Sequence, residues 1–553
     1  MGLKILQINL QHKKLATANL VKKQKTNDYD MILIQEPWVV KGRVAGLTDI
    51  GGKLLYDTSC SATEPPRTCL IIKQNINFLL LQEHCSRDLV AVKVKLIGRE
   101  LTVGSAYFPF DSAKPPPTIE VERLVEETSN SSGQLLLGCD ANAHHTAWGS
   151  SNCNSRGESL LEFIFTNKLL TLNEGNRPTF ITSNRREVLD ITLSTVQVEG
   201  LIRNWRVLEE PSLADHQYIS FELNEKLNVT SKTFRDPNKT NWERFREDLK
   251  AGIQLLPTGI PKTNEDLDKV GNSIQRIIIE SFEKHCPPKP QMGKLRIRWW
   301  NEELDKMRKN VRKQFASAKK TNFWDNYHRL LTDYNKAVRK AKRLSWRKQC
   351  SDIESSTETA NLHRILKSSY SNPVGTIKKP DGTYTVSGKE TVEFLIDYHF
   401  PDSSANSQAT LEPQLSETRR CDWNCAKRII TEHHVRWAIK SFQPHKAPGP
   451  DKIFPRLLQE GLEILEPILT NLFVSSLALG YVPKAWTNAN VVFIPKPGRA
   501  NYAQANAYRP ICLNSFLLKS MEKILDKELR RKLRVNSILH DNQYAYRPGW
   551  STG

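Results

Sequence analysis

The chain has 553 residues, with 80 lysines and arginines against 60 acids, a net charge of +20 and a pI near 9.4. That length exceeds one compact core and implies two to four units. No apolar run reaches the roughly 18 residues of a membrane span, and Met1–Asn9 lacks the layout of a secretory leader, so a soluble intracellular protein with no membrane partner is expected. The charge excess points to a polyanionic partner and says nothing of fold. Ten cysteines follow no repeating interval, and Cys421 with Cys425 has no second Cys or His pair at zinc spacing, so reduced thiols and no zinc are expected.

From Leu3 to Leu223 short apolar runs alternate with turns: Leu3–Ile8, Met31–Ile34, Cys69–Ile72, Val90–Val94, Leu135–Leu137 and Asp190–Leu193. Runs of this length, rich in branched residues, read as buried strands. Glu120–Thr128 and Arg156–Leu170 have helical spacing between them. The expectation is an α/β layered domain over residues 1–225, two sheets with helices outside.

Residues 226–290 read as a helical linker. Leu267, Val270, Ile274, Ile277, Ile278 and Phe282 share one helix face that ends at Cys286-Pro287-Pro288-Lys289-Pro290. Residues 291–350 read as a basic helical segment, with Leu304, Met307, Val311 and Phe315 on one face and Leu330, Tyr334, Val338 and Ala341 on another. Between Lys294 and Lys348 stand 18 basic and five acidic residues. A solvated helix would intersperse both signs, so this imbalance favours a nucleic-acid surface over the plainer reading. Residues 351–425, with Ser403-Ser404-Ala405-Asn406-Ser407, read as a connector. Regular patterning resumes from 426 to 553.

Polar residues stand at the ends of the expected strands of the first domain: Asn9, Glu36, Tyr107, Asp140, Asn142, Asp190, Asp215 and His216. Phosphodiester hydrolysis needs a hard cation on oxygen ligands, a base for the attacking water and donors for charge growing on phosphate. Each residue alone has a plain structural explanation, as a turn cap, a core tyrosine or a partner for a surface cation. The ordered set over about 210 residues carries the functional reading.

In order and spacing, Gln35-Glu36-Pro37, Ser105-Ala106-Tyr107-Phe108-Pro109, Gly138-Cys139-Asp140-Ala141-Asn142-Ala143-His144, Leu189-Asp190-Ile191-Thr192-Leu193 and Asp215-His216 resemble the exonuclease III-like endonucleases of the endonuclease/exonuclease/phosphatase superfamily. The wording around Asp140–His145 and Trp148-Gly149 resembles the non-LTR (LINE-type) retrotransposon branch. The resemblance implies an α+β chain: a four-layered α/β sandwich, then a helical connector and a partial reverse-transcriptase fingers and palm. It implies that Glu36 binds Mg²⁺, with Mn²⁺ as an alternative, while Asn9 shapes that site. Asp140, positioned with Asn142, would activate water. His216, oriented by Asp190, and Tyr107 would contact the phosphate, Asp215 would lie near the metal, and Thr179 near the DNA. Ala214 stands where the family usually has serine, losing a hydroxyl beside the catalytic pair. Gln11 stands where repair enzymes carry an acid, which fits the retroelement branch.

Further on, Lys446-Ala447-Pro448-Gly449-Pro450-Asp451, Ile494-Pro495-Lys496-Pro497-Gly498, Tyr508-Arg509-Pro510-Ile511 and Gln543-Tyr544-Ala545-Tyr546-Arg547-Pro548-Gly549 resemble the fingers and early palm of a non-LTR reverse transcriptase. Lys496 and Arg509 would then grip an incoming dNTP. Ala545-Tyr546 in place of Gly-Phe and the unusual Trp550 mark divergence, and Trp299-Trp300-Asn301-Glu302-Glu303-Leu304 resembles Jockey-like arthropod elements. No palm aspartate motifs follow Gly553, so no polymerisation by this chain is expected.

The expected function is a DNA endonuclease nicking double-stranded target DNA to leave a 3′-hydroxyl for reverse transcription of element RNA, made in the cytoplasm and acting in the nucleus. Two alternatives are another phosphoesterase of the superfamily and a non-enzymatic nucleic-acid-binding remnant.

Overall fold

The computed structural model describes residues 2–48, 50–97, 99–131, 133–225, 233–290, 299–351, 372–401, 422–499 and 501–535. Gln543–Gly549, Trp550, Ser403–Ser407, Cys421 and the first basic residues of the charged segment lie outside them. The chain forms two compact units that interleave in sequence, one of residues 1–231, 292–403 and 495–509, the other of residues 232–291, 404–494 and 510–553.

In the first unit the strands of two six-stranded sheets are β1 (Leu3–Asn9), β2 (Met31–Gln35), β3 (Gly52–Leu55), β4 (Thr68–Lys73), β5 (Phe78–Cys85), β6 (Leu89–Lys95), β7 (Glu100–Tyr107), β8 (Gln134–Asp140), β9 (Leu169–Thr171), β10 (Asp190–Thr195), β11 (Ile202–Val207) and β12 (Ile219–Leu223). One sheet has the order β11-β12-β1-β2-β4-β3, the other β9-β10-β8-β7-β6-β5. Each has a parallel pair at its centre, β1 with β2 and β7 with β8, flanked by antiparallel strands.

The apolar runs are continuous because both faces of these strands are covered. Leu3, Ile5, Met31, Leu33, Leu70 and Ile72 face inward onto Val90, Val92, Leu101, Val103 and Leu136 of the other sheet. Their neighbours Leu6, Ile8, Ile32 and Ile34 face outward onto Ala16, Leu20 and Val21 of helix α1 (Lys14–Asn27). Across the molecule, Leu135, Leu137, Ile191 and Leu193 face Val121, Leu124 and Val125 of α2 (Ile119–Asn130) and Leu160 and Ile164 of α3 (Ser155–Thr166). Four layers result, as the resemblance implied. Helix α3 stops at Thr166, before the expected Leu170, because Leu169 already begins a strand.

The basic segment is a helical hairpin, α4 (Glu302–Thr321) and α5 (Asp325–Ser351). Asn301 caps α4 by accepting from the Leu304 amide at 2.9 Å, and Asn322, with φ of 58°, ends it. The expected apolar face is real, but part of it serves a partner: Leu304, Val311, Phe315, Tyr334 and Val338 share one core with Leu15, Ala18, Ile181 and Leu213 of the sandwich. The hairpin is therefore not a separate domain in line after residue 290. It belongs to the first unit.

The second unit corrects the linker expectation in the same way. Helices Trp242–Gln254 and Asn264–His285 bury Phe245, Leu249, Ile274 and Ile278 in one core with Leu465, Leu469, Phe473, Trp486 and Leu517. Among its helices Leu462–Leu479, with mean hydropathy 1.5, is long and apolar enough to cross a membrane, contrary to the sequence reading, and half of it is buried inside the unit. Polar residues, among them Glu463, Glu466 and the pairs Thr470-Asn471 and Ser475-Ser476, break the run but leave its average at 1.5. One of them, Glu466, accepts from Arg436 Nε at 3.0 Å.

Candidate active site

Strand register assembles the site. Asp140, at the end of β8, lies opposite Tyr107 on the parallel neighbour and opposite Asp190 on the antiparallel one. Asn9 ends β1 opposite Gln35, the residue before Glu36. The loop carrying Asp215 and His216 is tied to residues 179–181 through Ile181 N to Asp215 O at 2.8 Å and Gln217 N to Thr179 O at 2.6 Å. Asn9, Tyr107, Asp140, Asp190 and His216 are all buried.

His216 Nδ1 lies 2.8 Å from Asp190 Oδ2, so the carboxylate fixes the ring, and Nε2 points toward Asp140 Oδ2 at 4.0 Å. The Phe180 ring meets the imidazole edge to face at 5.0 Å. Asn9 Nδ2 donates to Asp140 Oδ2 at 2.7 Å, and the Asn142 amide donates to Asp140 Oδ1 at 3.2 Å. Glu36 and Asn142 both have φ of 43°, a left-handed backbone that a non-glycine residue keeps only where its surroundings hold it. At Glu36 the hold is its own amide donating to Arg67 O at 2.7 Å and its carbonyl accepting from His12 N at 2.8 Å. The Tyr107 hydroxyl bonds the Glu36 carboxylate, and burial with that negative charge pushes the phenol well above its ordinary range.

Burial pushes Asp140 up to about 7, helped by Asp190 and opposed by His216. At His216 burial pulls the imidazolium down, but the charge and hydrogen bond of Asp190, with Asp140 and Glu36 behind them, outweigh it and lift the group to about 9. Because that value lies above the ordinary 6.5, the ion pair's contribution to folding is full below pH 6.5 and is lost as pH rises through about 9. The urea midpoint of the chain is expected to fall across that window, and the fall is expected to vanish in Asp190→Asn. An identical pH profile for both proteins would remove the ion pair as its cause.

The donors fit a hard divalent cation. Glu36 and Asp140 offer carboxylate oxygens and Asn9 a carbonyl oxygen. Three carboxylates surround one imidazole, an excess of negative charge that a cation relieves. Ligand atoms of Asp140, Asp190 and His216 also lie within 4.8 Å of one another. A second such group, His145, Cys153 and Glu158, is more exposed.

Asp215 and Thr179, both expected around the site, stand in its supporting layer. Asp215 is half exposed, and its carboxylate accepts from Gln11 Nε2 at 2.8 Å and Lys13 Nζ at 3.1 Å. Gln11 returns the bond, taking the Asp215 amide at 2.9 Å. Thr179, expected near DNA, is fully buried, and its hydroxyl accepts from the Leu189 and Asp190 amides at 3.0 Å each. It holds the start of β10. The hydroxyl missing at Ala214 is supplied by Ser212, whose Oγ accepts from the Ala214 amide at 3.0 Å and donates to His216 O. Lys496 and Arg509 lie away from these residues in sequence; Lys496 Nζ donates to Asn506 O at 2.8 Å, and Arg509 is exposed.

Sequence reading missed the supports between the sheets. Gln7 continues the inward row Leu3, Ile5, and its Nε2 donates to Cys139 O and Ile191 O, both at 3.1 Å. Gln35 continues Met31, Leu33 and donates to Ser105 Oγ at 3.0 Å and Gly138 O at 3.1 Å. These amides stitch β1 and β2 to the strands carrying Asp140 and Asp190. At Gly138 a Cβ would come within 2.7 Å of Leu33 Cδ1 and 2.8 Å of Gln7 Oε1, so a side chain there would push the stitching amide aside. The available signal was a glutamine on the inward parity of an otherwise apolar strand.

The two stacked sheets with helices outside form an endonuclease/exonuclease/phosphatase fold. Residues 101–220 match the family described as Endonuclease-reverse transcriptase. The chain is 24% identical over 431 residues, 75% of its length and 46% of the relative's, to the RNA-directed DNA polymerase from mobile element jockey of Drosophila funebris. It is 21% identical over 501 residues, 86% of its length and 49% of the relative's, to the Retrovirus-related Pol polyprotein from type-1 retrotransposable element R1 of Bradysia coprophila. Among solved structures, the endonuclease domain of TRAS1, a telomere-specific non-LTR retrotransposon, matches with 29% identity and a TM-score of 0.35, covering 40% of this chain and 98% of that one. The chain is a relative of the Jockey and R1 non-LTR retrotransposon polyproteins, and it spans about half the length of those it matches.

Proposed function

We propose that this chain is a Mg²⁺-dependent endonuclease that nicks one strand of target DNA, leaving a 3′-hydroxyl that primes reverse transcription of element RNA in the nucleus. The observation that supports this best is the register-locked array of Asp140, Asp190 and His216 beside the oxygen donors of Glu36 and Asn9. A carboxylate raised to about 7 and an imidazole raised to about 9 suit paired base and acid work near neutral pH. Asp140, held by Asn9 and Asn142, takes the proton of the attacking water. His216, kept charged by Asp190, donates from Nε2 to a phosphoryl oxygen as negative charge grows there. Tyr107 and Asn142 border the same oxygens. When bound, the dication supplies Lewis-acid charge to the phosphate. Lys496 and Arg509 would serve the dNTP of the polymerase reaction in the same element.

The test is relaxation of supercoiled plasmid by the whole chain. Open circles that form with Mg²⁺ and religate with DNA ligase, and no product in EDTA, are expected. Release of inorganic phosphate from small phosphoesters with the plasmid left intact would replace this reading with that of another phosphoesterase.

A further inference from the structure

Five residues of α5, Arg339, Lys342, Arg343, Trp346 and Arg347, recur at intervals of three and four and so share one helix face. With Lys14 of α1 they line a cleft of about 480 Å³. The lining holds five cations, one tryptophan and no acid. Among the described residues none of the five cations enters an ion pair within 4 Å. Lys14 Nζ lies over the Trp38 ring at 4.7 Å and Lys342 Nζ over Trp299 at 4.5 Å, while Trp346 is 45% exposed. Burial and the neighbouring Lys14 pull Lys342 down to about 8. A cluster of like charges, held together by the apolar seam of α4 and α5 on the sandwich, lacks its counter-charge.

The location narrows the occupant. Lys13, one residue before Lys14, places its ammonium 3.1 Å from Asp215, whose neighbour is His216. The Lys13–Asp215 pair thus ties the segment that carries Lys14 to the loop that carries His216. A surface tryptophan among cations suits an unpaired base, since duplex bases hide their faces in the stack. The volume suits a nucleotide.

We propose that this cleft is a single-stranded DNA site, where Arg339, Arg343 and Arg347 neutralise backbone phosphates and Trp346 stacks on an unpaired base of the strand leaving the catalytic centre. The assignment of the strand rests on the nuclease reading; the binding itself does not.

The test is fluorescence anisotropy of the full chain with a labelled single-stranded DNA oligonucleotide in EDTA across a salt series. Arg339→Gln with Arg343→Gln is expected to flatten the slope of log affinity against log salt by about 1.4, at roughly 0.7 per phosphate on single strands. Trp346→Ala is expected to weaken binding about 5- to 150-fold, and Trp346→Phe to retain it, which separates stacking from misfolding. Parent-like slope and affinity in all the variants would overturn the proposal, as would tenfold tighter binding of RNA of the same sequence. Pocket variants that lose DNA while the parent fails to nick plasmid would sink the nuclease reading and keep the site. Normal nicking with unaltered DNA binding would do the reverse.

Discussion

Replacing His216 by alanine is expected to lower the rate of plasmid nicking about 10²- to 10⁴-fold, the range that a positioned proton donor contributes. Nδ1 of this imidazole is committed to Asp190 at 2.8 Å, which leaves Nε2, 4.0 Å from Asp140, to donate. No other imidazole stands within the Asp140 and Asp190 pair among the described residues. Asp140→Ala is expected to fall by a comparable factor through loss of the base. Asp190→Asn is the sharper variant, because it keeps shape and removes the charge that lifts His216. Its loss is expected to be greatest near neutral pH, where the parent's imidazole is charged and the variant's is largely neutral. Initial rates of open-circle formation at matched concentration check all three. Parent-like nicking by His216→Ala would show that the buried dyad is structural.

Gly157→Ala is expected to destabilise the nuclease unit by about 3 kcal/mol, although helix propensity argues the opposite way. Gly157 lies in the first turn of α3, where alanine would normally gain about 1 kcal/mol. Here a Cβ would sit 1.8 Å from His144 O and 2.6 Å from its carbonyl carbon. Overpacking against backbone costs about 1–3 kcal/mol or more, and backbone cannot swing aside as a flexible side chain can. The turn cannot simply retreat, since Asn154 Oδ1 fastens both sides of it, accepting from Gly157 N at 2.8 Å and His144 N at 3.1 Å. The displaced carbonyl belongs to the segment that carries Asn142, so nicking should fall with stability. Scanning calorimetry checks this, with a lowered melting temperature expected and a raised one fatal to the argument.

The strands were legible because burial on both faces leaves unbroken apolar runs, and the candidate site because its polar residues fall in motif order at the ends of such runs. Asn9, Glu36, Asp140, Asp190 and His216 could each be picked out in this way. Thr179 could not be placed: the same residue type suits a DNA-facing hydroxyl and a buried acceptor under β10, and only its bonds to the Leu189 and Asp190 amides decide. The apolar faces of α4 and α5 were equally visible, but periodicity states that a face is buried and not against what. Leu15, Ala18, Ile181 and Leu213 supply that answer from up to about 300 residues away along the chain.

Local periodicity and motif order survive in one dimension, so the sequence alone made legible the strands and helices, the candidate site residues and the kinship with retrotransposon polyproteins. The tertiary structure decided the rest. It chose register, which sets Asp140 between Tyr107 and Asp190, and it set Gln7 and Gln35 as stitches between sheets. It also joined the basic hairpin to the nuclease, because packing of complementary apolar surfaces, and not distance along the chain, selects which faces meet.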